Sequence, residues 1–110
     1  MNSKYPNLSK PIRIGNVEAK HRIFSAPTGL MGYTPEGHLT TDNRAFFEYK
    51  ASGGCAVVSV GECIIHGASG SSHNLQPALD DITLLPSLTM LVKDIKRRGA
   101  LANIELSHGG

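Results

Sequence analysis

The chain has 110 residues, 40% of them hydrophobic and 18% charged, the make-up of a folded globular chain rather than a disordered one. Its formal net charge of +2 is too small to draw in nucleic acid or an anionic membrane. No stretch reaches the ~18 apolar residues of a membrane span, and the polar opening Met1 to Lys10 has no apolar core of the kind a secretory signal carries.

Pro11 to Lys20 alternates in polarity and turns at Gly15-Asn16, which predicts a β-hairpin. His21 to Pro27 predicts a short strand. The glycines and proline between Thr28 and Gly37 predict a loop. Thr40, Thr41, Asp42 and Asn43 offer N-caps for a helix that runs to about Ser52 and stops at Gly53-Gly54. Ala45, Phe46 and Tyr49 are its expected apolar face. Cys55 to Val60 is a nearly continuous run of small apolar residues, as in a parallel strand buried on both faces, and Gly61 is expected to end it. His66 to Gln76 predicts a loop. A second helix begins near Pro86, presents Leu88, Leu91, Val92 and Ile95 on one face, and stops at Gly99. Ala100 to Leu106 is the third strand.

The order is a hairpin followed by β-α-β-α-β. Such alternation implies parallel strands joined by right-handed helical crossovers. A doubly wound sheet and a barrel both satisfy it. A (β/α)8 barrel needs roughly 250 residues, so this length holds only its first three strands. The two cysteines, Cys55 and Cys63, lie some ~26 Å apart along an extended strand, out of disulfide reach. They read as reduced packing thiols, and a cytoplasmic location is expected.

In either architecture function collects at the C-terminal ends of the strands. Here those ends are Ser25 to Gly29, Val60 to Glu62, and Glu105 to Gly110. Each sets small residues beside a hydrogen-bonding side chain. Small residues let a flat ring approach the backbone, and polar groups can then read its edge. Turns need glycine and polar residues too, so each stretch alone is better explained as a turn, and only the three together, at successive strand ends, bring the two readings level. Other chemistries find less support. No phosphate loop of the GxGxxG or GxxxxGK[ST] type is present. His66, His73 and His108 lack metal-ligand spacing, and no metal is expected. No GxSxG elbow occurs. His21 and His38 have no evident partners and are expected to be solvated or bonded locally. Lys96-Arg97-Arg98 fits the C-terminal end of a helix dipole.

The same strand ends carry a resemblance. Tyr5 to Gly15 and Lys20 to Gly29 resemble the opening of the Old Yellow Enzyme family of flavin oxidoreductases, "FxPxxIG…xxNRIxxxP". Ala51 to Glu62 resembles its "AxGGxGLIIxEG" segment, and Glu105 to Gly110 resembles "QLxHxGR". The motifs fall in family order from about residue 5 to the end. They are most similar to the branch that includes 2,4-dienoyl-CoA reductase, trimethylamine dehydrogenase and bile-acid reductases.

The resemblance implies an FMN-binding (β/α)8 TIM barrel, with residues 1–110 as its N-terminal part. It implies hydride transfer from NAD(P)H through FMN to a small molecule with an activated alkene. Pro27, Thr28 and Gly29 match the family stretch that contacts the flavin ring. Gly61 matches the small residue where the ring edge approaches, and Glu105 matches the glutamine on the pyrimidine edge. His108 matches the motif histidine and is expected to give local support. Catalytic groups and phosphate loops are expected downstream of Gly110. So are the 4Fe-4S cluster and FAD domain of the larger branch. A homo-oligomer is also expected. The alternative is a truncated, non-catalytic product that self-associates or docks on a partner.

Three positions depart from the family pattern. His21 stands where asparagine is usual. Gly29 stands where many relatives carry Thr or Cys. Glu105 replaces glutamine, and an ionised carboxylate accepts hydrogen bonds but cannot donate. Glu105 is therefore expected either to be protonated when flavin is bound or to bond the N3–H alone.

Overall fold

The computed structural model describes residues 4–110. A single helical turn, α1 (Pro6–Ser9), starts on a proline whose missing N–H suits a first helical position. The hairpin follows as β1 (Ile12–Ile14) and β2 (Val17–Ala19), with Ile14 opposite Val17. Its two-residue turn needs positive φ, which Gly15 supplies at +58°. The remaining elements are β3 (Phe24–Thr28), α2 (Thr41–Ser52), β4 (Val57–Ile64), the one-turn α3 (Gly67–Gly70), α4 (Leu85–Arg97) and β5 (Leu101–Ser107). A 3-10 turn at Ile82–Leu84 leads into α4.

β3, β4 and β5 form one parallel sheet in that order. The central strand β4 is buried along almost its whole length, as its apolar run predicts. The helices α2 and α4 pack on one face. Phe47, Ala51, Leu91 and Ile95 meet Val58 and Val60 there, and all six are under 2% exposed. Arg44 of α2 and Asp94 of α4 add an ion pair at 2.6 Å. At the other face, Ala19 from the hairpin joins Ala56 and Val57, with Ile12 and Leu101 alongside. The hairpin thus helps bury the N-terminal end of β4.

Several expectations need correction. The buried face of α2 is Asn43, Phe47 and Ala51, whereas Phe46 is 38% and Tyr49 78% exposed. Position 43 turns inward because Asn43 completes a capping box with Thr40 and donates to the Met31 carbonyl at 3.0 Å. Gly61 does not end β4. The strand continues to Ile64 because Cys63 and Ile64 still pair with Leu106 and Ser107 of β5. Its amide also receives cover from the next loop, with Ile64 N–H donating to the Pro77 carbonyl at 2.8 Å. The 66–76 segment contains the α3 turn rather than loop alone.

His21 is 4% exposed and far from solvated. Its Nδ1 accepts from Ile23 N–H at 3.2 Å, which leaves Nε2 to donate to the Gly54 carbonyl at 2.8 Å. It therefore ties the entry of β3 to the α2–β4 turn. His38 reaches Thr83 Oγ1 at 2.9 Å, 45 residues away in sequence. The Ile23 bond is the local one expected of His21, whereas the Gly54 and Thr83 partners are distant in sequence. The basic run also does more than complement a dipole, since Arg97 and Arg98 both bond Glu48 of α2 at 2.9 Å.

Candidate functional site

Strand register aligns the three C-terminal ends. Thr28 of β3 stands beside Val60 of β4, and Val60 beside Ile104 of β5. The next residues along each strand are Gly29, Gly61 and Glu105. Gly61 is the centre of this row. A Cβ at position 61 would lie 2.7 Å from Pro27 Cβ and 3.2 Å from Glu105 Cβ, and would meet the Glu105 Oε2 as well. Glycine is required because side chains from both neighbouring strands lean across it. Gly29 lies against the same backbone, its Cβ direction 3.9 Å from the Glu62 amide nitrogen. The Gly61–Glu62 peptide is cis.

Of the five residues singled out from the sequence, Pro27, Gly29, Gly61 and Glu105 therefore meet at one rim. Pro27, Gly29 and Glu105 are exposed there. Thr28 faces the helices instead. Its Oγ1 accepts from Lys50 Nζ at 2.8 Å and donates weakly to the Ala26 carbonyl at 3.4 Å. Lys50 in turn lies 4.6 Å from the Phe46 ring centroid. The Glu105 carboxylate takes no hydrogen bond from another group among the described residues.

Glu62 is the opposite case, and the sequence gives it no special standing beyond its place at a strand end. Its carboxylate accepts from Gln76 Nε2 at 2.6 Å and from Ser72 Oγ and Ser107 Oγ at 2.9 Å. His73 Nε2 stands 3.6 Å away. The hydrogen bonds from Ser107 and Ser72 hold its carboxyl below the ordinary carboxylate range, against a weaker pull from burial. The only local signal is the run of polar side chains at Ser72, His73 and Gln76 in the loop after β4, which offers donors to a carboxylate at the strand end.

His108 packs over the α3 turn. A Cβ at Gly70 would lie 2.9 Å from its Cδ2, and its Nε2 meets Ser69 Oγ at 3.1 Å. Ser69 also meets His66 Nδ1 at 2.8 Å. His66 and His108 thus share a serine, while His73 lies by Glu62. Among the described residues no group of three His, Cys, Asp or Glu is placed to hold a metal ion. Burial pushes the Cys63 thiol up to about 11, with the Glu105 charge adding to it, so it is no thiolate nucleophile at neutral pH. No helix among the described residues is long and apolar enough to cross a membrane.

A parallel β-α-β-α-β sheet in sequential strand order, closed below by a hairpin, is the arrangement with which a (β/α)8 barrel opens. The sequence matches the NADH:flavin oxidoreductase / NADH oxidase family over residues 7–110, and the chain belongs to that family. The Old Yellow Enzyme resemblance of its motifs therefore holds. It is 32% identical over 103 residues to a metal reductase of Desulforamulus reducens, covering 94% of this chain and 15% of that protein. Its fold matches a 2-naphthoyl-CoA reductase bound to 2-naphthoyl-CoA with a TM-score of 0.89 and 30% identity, covering 96% of this chain and 16% of the other. The old yellow enzyme of Trypanosoma cruzi shares the fold, with a TM-score of 0.82 at 18% identity, over 98% of this chain and 28% of its own. The chain thus spans well under a third of each of these relatives.

Proposed function

We propose that the chain supplies the rim on which FMN rests in an NAD(P)H-dependent oxidoreductase, as the N-terminal part of the FMN-binding barrel domain. The observation that carries this is the meeting of Pro27 and Glu105 over Gly61, where no side chain fits between two strands. Such a surface suits the edge of a flat heterocycle. Membership of a flavin oxidoreductase family supports the choice of ring.

The chemistry FMN supplies when bound is transfer of a hydride from NAD(P)H to the electron-poor carbon of an activated C=C, with a proton completing its neighbour. This chain's residues bind and orient. Gly29 leaves its backbone open to a ring, and Gly61 lets Pro27 and Glu105 close over β4. Pro27 offers an apolar surface beside them. Glu105 accepts a hydrogen bond from an imide N–H such as flavin N3–H. An ionised carboxylate would repel the adjacent O2 oxygen, so Glu105 would bond the N3–H alone. Lys50 holds the Thr28 hydroxyl from beneath and so fixes the end of β3.

The acceptor is an enone or enoyl thioester. The similar 2-naphthoyl-CoA reductase, solved with 2-naphthoyl-CoA bound, supports the thioester part of that class. The catalytic groups, any 4Fe-4S cluster and any FAD domain belong to other parts of the enzyme, which is cytoplasmic and homo-oligomeric. The test is anaerobic. Full-length protein loaded with FMN is reduced with NADH or NADPH and mixed with an enone and an enoyl thioester. Reoxidation matched by saturated product is expected. Reoxidation by a disulfide or a metal ion, with the alkenes left intact, would defeat the proposed acceptor.

A further inference from the structure

We infer that Glu62 is a positioning residue that locks the 71–76 loop and the end of β5 onto β4, and so holds the flavin-facing rim in shape. The inference rests on the flavin reading above and names a residue which that reading does not use. Glu62 follows Gly61 directly, and its amide lies beside Gly29. The backbone that carries Glu62 is therefore part of the rim.

The carboxylate is divided between two tasks. Oε2 takes the Ser107 hydroxyl, fixing β5 two residues beyond Glu105. Oε1 takes Ser72 and Gln76. Gln76 is 6% exposed and works as a bridge. Its amide nitrogen donates to Glu62, while its Oε1 accepts the backbone N–H groups of Ser72 at 2.8 Å and His73 at 3.2 Å. The loop so gathered contains Leu75 with φ at +62°, a conformation unfavourable to a side chain of this size. It persists because its neighbours are fixed on both sides. The fastening is tight at the next contact too, since a Cβ on Gly37 would lie 2.7 Å from the Gln76 carbonyl oxygen. Three hydrogen bonds to one carboxylate are too many for a decorative surface charge. They tie two strands and one loop to a single side chain.

The test uses the full-length protein with Glu62→Ala, Glu62→Gln and Ser107→Ala. FMN affinity is read from flavin fluorescence, and cleavage of the 66–76 loop in the apoprotein is read by limited proteolysis. Expected are an at least tenfold weaker FMN affinity and a faster loop cut for Glu62→Ala. Glu62→Gln, which keeps the shape and can still meet Gln76, should recover most of both. Ser107→Ala should weaken FMN several-fold with little change in the loop cut, because it releases β5 alone. FMN affinity unchanged in all three variants, with the wild type binding normally, would overturn the inference and leave the flavin reading intact. A wild-type protein that binds no FMN would overturn the flavin reading itself and the inference with it. The loop cut would still show whether Glu62 fastens the loop. If Glu62→Ala does not fold, the other two variants decide between these outcomes.

Discussion

Glu105 of β5 lies across the Cα of Gly61 in β4, close enough that a methyl group between them would meet the glutamate carboxylate, its Cβ at 3.2 Å and Pro27 Cβ at 2.7 Å. The glutamate end of this contact can swing away, but the proline ring cannot. Gly61→Ala must push β3 and β4 apart locally. The expected cost is about 1–3 kcal/mol of stability. A urea titration of the full-length variant should show a lower midpoint, with weakened FMN binding in the same sample. An unchanged midpoint would mean that the row of strand ends yields more easily than its geometry implies.

The same pair makes Glu105 a sharp probe. Glutamine is the family's usual residue, and its amide donates as well as accepts. Glu105→Gln should therefore preserve or tighten FMN binding. Titration of apoprotein with FMN measures this directly. Marked loss of affinity would show that the carboxylate has a task that an amide cannot perform.

Glu62 sets a pH dependence whose sign is fixed by its hydrogen bonds. Its carboxyl is held below the ordinary value of 4.5, so its contribution to stability is fully present above that unfolded value. The contribution is lost as pH falls through the lower folded value. Glu48 and Asp81, lowered by hydrogen bonds from Arg97 and Thr83 respectively, act in the same direction. Urea midpoints of wild type and Glu62→Gln, followed from about pH 6 to about pH 3, should differ most at the upper end and converge toward the lower. A constant gap would assign the effect to shape rather than charge.

His21 carries two hydrogen bonds in a buried setting. Removing both with His21→Ala leaves the Gly54 carbonyl and the Ile23 amide without their ring partner, at an expected cost of about 1–3 kcal/mol. His21→Asn should cost less, since asparagine also donates and accepts. Denaturant unfolding of the three proteins gives the ranking. Equal midpoints for Ala and Asn would remove the polar tie as the explanation.

What the sequence made legible was periodic or punctuated. The hairpin at Gly15-Asn16 and the apolar run of β4 follow from residues adjacent along the chain, as do Leu88, Leu91 and Ile95 of the α4 stripe, although Asp94 rather than Val92 completes its buried face. The rim was legible for a different reason. Strand order in a parallel sheet brings successive C-terminal ends together, so Pro27, Gly61 and Glu105 had to be neighbours once the order was right. The misses are all matters of long-range partnership. Gly61 resembles a strand terminator until β5 is present to pair with Cys63 and Ile64. Tyr49 resembles a core residue until the Thr40–Asn43 cap sets which side of α2 turns inward. Glu62 resembles an ordinary polar residue because its partners Ser72 and Ser107 sit 10 and 45 residues away, and His21 does so because the Gly54 carbonyl is 33 away, although Ile23 is local. Local periodicity carries no information about such contacts.

The most direct measurement is the flavin content of the full-length protein that bears these residues. The purified protein is denatured, and the released flavin is identified and counted against chains. The account predicts a yellow protein that yields FMN in a ratio near one per chain and takes FMN up again after removal. A colourless protein that takes up no FMN would contradict it, and would leave the glycine-centred rim as a structural joint without a flavin to read.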